Sequence, residues 1–252
     1  MSRVNRFVSV VAVLAAGVFG ASSTARAQSS EGSPFSVDFA IGWDNDISGN
    51  INSSGIGTIN NQAVVILKNS YENVYGTGLH LRGGVGYLIG DTKTTELRAS
   101  LSFQSLDADF VTPLGDIGVS KLYAQYSDYQ ALTLDLGARQ YYELKPKLRG
   151  YGDGTIGFGF IDKIDAKLVA PGANVITEAN DFYDQTVAFS LGADAGLLFE
   201  RSPKMGLFVQ LGLRWTSGLA EVDDLVGTGL ESINDKSSRW TIPFLAGVRY
   251  RF

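Results

Sequence analysis

One pattern constrains this chain more than any other. In eight stretches apolar residues alternate strictly with polar or small ones, and the apolar face of each stretch carries no charge. Period-two alternation belongs to a strand whose two faces meet different surroundings. The last stretch shows it best. Trp240, Ile242, Phe244, Ala246, Val248, Tyr250 and Phe252 share one face, while Arg239, Thr241, Pro243, Leu245, Gly247, Arg249 and Arg251 share the other. That run is longer than a sandwich strand usually needs and long enough for a tilted strand that crosses a membrane, which takes roughly 9–11 residues.

The same alternation places Phe35, Val37, Phe39, Ile41 and Trp43 on the apolar face of the first stretch, with Leu79, Leu81, Val85 and Tyr87 on the second. Leu97, Ala99, Leu101 and Phe103 define the third, and Leu132, Leu134, Leu136 and Ala138 the fourth. The fifth is shorter, with Ile156, Phe158 and Phe160. Val187 to Leu197 and Leu207 to Trp215 supply the sixth and seventh. An arginine or lysine on a lipid-facing side would cost about 2–4 kcal/mol at mid-bilayer, so eight uncharged faces suit lipid.

Composition narrows the choice. Hydrophobic residues make up 44% of the chain, yet beyond residue 27 no run is apolar enough for a membrane helix, and there are 30 glycines, 14 phenylalanines and 11 tyrosines. Only a closed barrel lets strands satisfy every backbone polar group within lipid. The fold expected is therefore all-β: an eight-stranded antiparallel up-and-down transmembrane β-barrel over residues 35–252. Short turns at Gly90–Lys93, Leu144–Lys147 and Arg201–Lys204 alternate with long connections at about 44–76, 107–127, 162–183 and 221–237. In bacterial barrels the short turns are periplasmic and the long loops extracellular, which puts both termini in the periplasm.

Residues 1–27 read as a signal peptide. Arg3 and Arg6 precede an apolar run from Phe7 to Ala21, and Ala25-Arg26-Ala27 fits a cleavage site before Gln28. Residues 28–34 then form a short periplasmic lead-in. Cleavage removes three arginines and no acid, taking the formal charge from −5 to −8. An acidic chain of this kind has no basic stripe for a phosphate backbone, so no nucleic acid is expected as partner. The absence of cysteine excludes disulfides, thiolate zinc sites and cysteine nucleophiles.

With its leader, its eight alternating stretches and its terminal Val248-Arg249-Tyr250-Arg251-Phe252, the chain resembles small outer-membrane β-barrel proteins of the porin-family, OmpA/OmpX-like type. The resemblance covers about 35–252 and lies in pattern rather than in a catalytic motif. It implies a cell outer-membrane location in a Gram-negative envelope, with outer-membrane lipid and lipopolysaccharide as surroundings. It also implies that Phe244, Val248, Tyr250 and Phe252 form the assembly signal read by the barrel-assembly machinery during insertion. Val74–Gly78 and Gly227–Asp235 have a familial look with no ligand attached to it.

The polar faces form the candidate site. Asp38, His80, Arg82, Glu96, Arg98, Asp135, Arg139, Asp194, Arg214 and Arg249 are expected to point into the lumen as a network. An eight-stranded barrel is just wide enough for side chains to fill, so near-balanced charges favour a plug of ion pairs over a pore. The glycines Gly152, Gly154, Gly157, Gly159, Gly192 and Gly196 read as bends or as room for large neighbours, and otherwise as a small cavity for an apolar ligand. Counting through the short turns predicts Gly84 opposite Arg98, Gly86 opposite Glu96, Asp194 opposite Gln210 and Ser190 opposite Arg214. At closure, Arg249 is expected beside Asp38.

His80, the only histidine, is expected in the lumen opposite Ser102. A lipid-modifying enzyme would need it paired with a serine and an acid within reach of lipid. The acids of the long connections, among them Asp107, Asp116, Asp184 and Glu231, lack any EF-hand spacing and read as solvated surface. No catalytic, cofactor or metal residue is assigned. The function expected is a structural or surface barrel that contributes to envelope integrity or presents its loops to an unidentified extracellular ligand. The alternative is a narrow channel or carrier for ions or small solutes.

Overall fold

The computed structural model describes residues 33–59, 61–90, 94–118, 120–170, 175–221, 227–234 and 237–252, with backbone alone for 175–181 and 221. The leader read over 1–27, the 91–93 turn residues and, among the acids on the long connections, Asp181, Glu221, Asp223, Asp224 and Asp235 lie outside the described residues or side chains. In chain order the elements are β1 (Phe35–Ser48), β2 (Asn50–Asn52), β3 (Gly55–Ile59), β4 (Gln62–Ile66), β5 (Asn69–Ser70), α1 (Tyr71–Val74), β6 (Gly78–Ile89), β7 (Thr95–Leu106) and β8 (Thr112–Ile117). There follow β9 (Ser120–Tyr126), β10 (Tyr129–Lys145), β11 (Leu148–Ile161), β12 (Ile164–Val169), β13 (Val175–Asp184), β14 (Thr186–Glu200), β15 (Met205–Thr216), β16 (Ala220–Glu221) and β17 (Arg239–Arg251).

Eight of these strands close into an antiparallel barrel in the ring order β1-β17-β15-β14-β11-β10-β7-β6. They are the eight alternating stretches of the sequence, several of them longer than their alternation. Their apolar faces point outward: Phe39, Ile41, Leu134, Ile156, Phe158 and Val209 are each about half exposed. Aromatic side chains gather on that surface at two levels. Phe35, Tyr87, Tyr142, Phe199 and Tyr250 stand towards the short turns, and Trp43, Trp215, Trp240 and Phe244 towards the long connections. Phe35 packs on Tyr87 with ring centroids 4.9 Å apart, and Trp43 stacks on Phe244 at 4.7 Å. Two aromatic girdles around an uncharged apolar band are how a transmembrane barrel meets its two interfaces.

The short turns shift the expected registers by two residues. Gly86 faces Arg98, Gly84 faces Ser100, Gly196 faces Gln210 and Gly192 faces Arg214. Ile89 pairs with Thr95 and Glu200 with Gly206, so the centre of each turn lies one residue further along the chain than counted. The observed register keeps small against large more faithfully than the expected one. A Cβ on Gly86 would lie 2.0 Å from Glu96 Oε1, and one on Gly212 would lie 1.9 Å from Asp194 Oδ1. Gly152 and Gly154 instead point outward, where a Cβ would meet nothing within 4 Å. They line no lumenal space.

The largest departure lies in the long connections. They are not simply solvated loops: they fold into a seven-stranded sheet in the order β16-β13-β12-β9-β8-β4-β3, following the ring order of the barrel beneath. The fourth connection meets both ends of it, supplying β16 at one and bonding beside β3 at the other. Ala220 and Glu221 pair with β13, while Ser53 N donates to Ile233 O and Thr58 N to Thr228 O along the free edge of β3. Two unpaired edges are thereby covered by one segment, which removes the hazard of an open strand edge. Beneath the sheet lies a core of Ile51, Val64, Ile66, Leu114, Leu122, Ile164 and Leu230, each at most 1% exposed.

Candidate functional site

The polar faces of the eight barrel strands meet in the lumen, and the site is built from what they carry there. Among the described residues the buried charges are the carboxylates of Asp38, Asp44, Asp46, Glu96, Asp135, Asp153 and Asp194 and the guanidinium groups of Arg82, Arg98, Arg139, Arg214, Arg239 and Arg249, with His80 beside them. All ten residues named from the sequence are buried at lumenal positions. Asp44, Asp46, Asp153 and Arg239 join them. The long connection expected from about residue 44 takes in Asp44 and Asp46, but β1 runs on to Ser48. Asp153 precedes the detectable alternation of its strand because the outward positions there are Gly150, Gly152 and Gly154, which give no apolar signal. Arg239 stood on the polar face of the last stretch, and that position was a sufficient cue.

Towards the short-turn end, Arg249 grips Glu96 with both terminal nitrogens, while the hydroxyls of Ser36 and Tyr141 donate to the same carboxylate at 2.6 Å each. Farther in, Arg98 donates to Asp38 and Asp153, and Arg139 reaches Asp153 through Nε and Nη2 at 3.1 and 2.8 Å. Gln210 Oε1 accepts from Arg82 at 2.8 Å, from Arg139 at 3.3 Å and from the Tyr151 hydroxyl at 3.2 Å. The Arg139 guanidinium lies over the Tyr151 ring, 3.8 Å from its centroid. Arg214 binds Asp135 at 2.9 Å. Towards the long connections, His80 Nδ1 lies 2.9 Å from Asp44 Oδ2, Gln104 also donates to Asp44, and Arg239 pairs with Asp46.

These contacts cross the lumen. Arg249 on β17 and Glu96 on β7 are three places apart round the ring, as are Arg214 on β15 and Asp135 on β10. Arg82 on β6 faces Asp194 on β14, the diametrically opposite strand, at 3.8 Å. Asp38 and Arg249 are Cα partners at closure, on the same face as expected, but their side chains bond elsewhere. An extended arginine is longer than the roughly 5 Å between paired strands, so it reaches across rather than sideways. Pairing is what makes such burial tolerable: an unpaired charge in this setting costs several kcal/mol.

His80 sits opposite Gln104 rather than Ser102, because of the two-residue shift, and Ser102 is the partner of Arg82. Its neighbour is therefore an aspartate without a serine, inside the lumen and 1% exposed. Above the barrel mouth stands a cluster of buried tyrosines. Tyr71, Tyr75, Tyr126 and Tyr183 donate to Ser237 O, Ser127 O, Asn52 Oδ1 and Ile51 O. Burial pushes the phenols of Tyr71, Tyr75 and Tyr126 well up from their ordinary value, so they remain neutral donors. Arg239 lies 4.1 Å from the centroid of Tyr129 beneath them.

Closed ring, uncharged belt and paired girdles together define an eight-stranded transmembrane β-barrel of the outer-membrane type, with a lumen crossed by ion pairs. No family model and no curated protein matches the sequence. Among solved structures the chain is similar to Neisserial surface protein A, with 14% identity over 87% of this chain and 98% of that one and a TM-score of 0.43. It is also similar to OprG of Pseudomonas aeruginosa, at 10% identity over 88% and 97% with a TM-score of 0.43. A third is Ail, the attachment invasion locus protein of Yersinia pestis, at 14% identity over 88% and 99% with a TM-score of 0.37. Likenesses this distant carry no argument about activity. The fold rests on the closed strand order of the chain itself.

Proposed function

We infer that this protein is a structural or surface barrel of the outer membrane, with a side-chain-filled lumen and a folded platform built from its long connections. The observation that carries the reading is the set of ion pairs spanning the lumen, above all Arg82 with Asp194 and Arg98 with both Asp38 and Asp153. Side chains tied across the bore leave little room for a solute and brace opposite walls. On this reading both termini are periplasmic and the outward belt faces outer-membrane lipid and lipopolysaccharide. Phe244, Val248, Tyr250 and Phe252 serve the assembly machinery. The platform stands outside the cell, where it stiffens the envelope surface or meets an extracellular ligand.

Planar-bilayer recording of the purified, folded protein tests this. The expected result is no steady large conductance, with an increase on exchanging Arg98 and Arg139 together for alanine. A steady large conductance from the unaltered protein would overturn the reading. One observation favours the alternative of a narrow channel or carrier: Asp38 Oδ1, Arg82 Nε, Arg98 Nε and Gln210 Nε2 are buried without a hydrogen-bond partner among the described residues. Water commonly satisfies such atoms. The same recording under a salt gradient reads out small, ion-selective currents if water threads the network.

A further inference from the structure

Among the described residues the two most exposed large apolar side chains do not lie on the lipid belt. They are Ile56 and Phe110, 76% and 86% exposed, and both stand on the long connections. Ile56 on β3 is the Cα partner of Val65 on β4, and Leu67 follows two residues on from Val65 on the same outward side. Val65 and Leu67 are exposed as well. Leu67 N donates to Leu114 O, which sets this row beside β8, where exposed Val111 follows Phe110. Val64, Ile66 and Leu114 point the other way, into the core of the platform. β4 is therefore apolar on both faces, which a surface meant only for water does not call for.

The direction of that row follows from the chain. Tyr126 and Tyr129 flank the β9–β10 junction, Ile161 and Ile164 flank the β11–β12 junction, and all four are buried. The inner face of the platform thus continues the lumenal face of the wall, and its outer face looks sideways, as the belt does. The girdle of Trp43, Trp215, Trp240 and Phe244 closes the belt below, and the row lies on connections beyond it. Asp116, the Cα partner of Val65, ends the row on one side with its ion pair to Lys121 at 2.7 Å. The exposed apolar side chains present on the order of 500 Å², the scale at which a patch marks an interaction. With polar neighbours they approach the roughly 800 Å² that each partner gives to a stable interface. In a membrane, the neighbour that a sideways patch meets is another barrel inserted the same way round. Copies so aligned bring one patch against its twin about an axis along the membrane normal, which closes as a two-fold pair. An uncharged patch is also where two acidic chains approach with least repulsion.

We propose that the outward face of β3 and β4, with Ile56, Val65 and Leu67 at its centre, is the surface on which a second copy of this chain docks in the plane of the membrane. The proposal rests on the outer-membrane barrel reading above. Because the chain has no cysteine, a single nitroxide label can be placed at will. The full folded chain carries the label through Thr58→Cys, exposed beside Ile56, through Lys167→Cys on the outward side of β12, or through Leu134→Cys on the belt. It is studied in vesicles of phosphatidylethanolamine and phosphatidylglycerol. The expected result is a dipolar coupling between Thr58→Cys labels that dilution with unlabelled chain removes, and none between Lys167→Cys labels. Ile56→Asp with Val65→Asp should weaken the association about tenfold. Both side chains are exposed, so gel mobility of the unheated barrel should stay that of the folded form. The proposal is overturned if Thr58→Cys labels show no coupling, if the coupling survives the double substitution, or if Lys167→Cys labels couple equally. Collisions with oxygen and with a water-soluble nickel complex then tell what lies against the face instead: oxygen alone means lipid, and nickel means water. A Leu134→Cys label that meets nickel would overturn the barrel reading itself, and the proposal with it.

Discussion

At the scale of the residue, the lumen is governed by who shares a carboxylate with whom. Asp153 takes Arg98 and Arg139 at once, so its loss leaves Arg139 without a carboxylate and Arg98 with Asp38 alone. Asp153→Ala is expected to destabilise the barrel by about 3–5 kcal/mol, the usual cost of breaking a buried pair from one side. Asp153→Asn, which keeps one acceptor oxygen for the two arginines, should cost less. Urea midpoints in detergent measure both, and equal losses would count against the charge argument. Glycine gives a second residue-scale contrast. A Cβ on Gly196 would lie 2.4 Å from the Tyr151 ring and 2.5 Å from Val209 O, whereas one on the outward Gly83 meets nothing within 4 Å. Gly196→Ala is thus expected to cost about 1–3 kcal/mol through overpacking. Gly83→Ala should be neutral or mildly stabilising, since glycine inside a strand carries an entropic cost. If both substitutions shift the midpoint alike, lumenal crowding is not what places glycine at Gly196.

At the scale of the element, the platform is only as firm as its closing segment. Leu230 and Ile233 sit in its core, and the 228–233 backbone covers the edge of β3. Glu231 shapes that segment by accepting from Gly227 N at 2.7 Å and Gly229 N at 3.3 Å. Hydrogen bonds from its own backbone N–H and those of Gly229 and Gly227 hold its carboxyl below the ordinary glutamate value. A carboxyl lowered in the folded state contributes stability above its unfolded pKa, and that contribution fades as pH falls through the lowered value. Hydrogen-exchange protection of the Ser53 and Thr58 amides should therefore drop below the usual glutamate range while the barrel strands stay protected. Glu231→Gln should flatten this pH dependence. Retention of a steep dependence in that variant would remove Glu231 from the account.

At the scale of the whole molecule, the last strand closes the ring and carries the proposed assembly signal. Phe252 N donates to Phe35 O at 3.2 Å, and its ring lies 5.3 Å from that of Tyr250. One terminal hydrogen bond and one aromatic contact add little to a ring closed by the whole length of β1 and β17. Deleting Phe252 is therefore expected to lower the amount of barrel reaching the outer membrane far more than it lowers the unfolding midpoint of barrel already folded. Membrane fractionation beside urea titration separates the two, and normal membrane levels of the truncated chain would sink the role as an assembly signal.

Much of this molecule was legible in one dimension. Alternation along Phe35–Trp43 and Trp240–Phe252 required strands with one lipid-compatible face, and eight such strands between turns required a closed ring, because backbone polar groups have no other partners in lipid. Inward or outward direction follows from parity alone, which is why all ten lumenal residues could be named. Parity does not say how far a strand slides against its neighbour. The two-residue shift at the β6–β7 and β14–β15 turns preserves every face, so it leaves the alternation unchanged while moving His80 from Ser102 to Gln104. The platform also had its signals, in Leu122, Ala124 and Tyr126 and in Ile164, Ala166 and Leu168, all buried. Those stretches are too short to stand out, and their pairing joins connections far apart in the chain. What crosses the lumen was beyond one-dimensional reading for the same reason: the reach of an arginine to a strand three places round the ring depends on shear and curvature, which exist only once the sheet has closed.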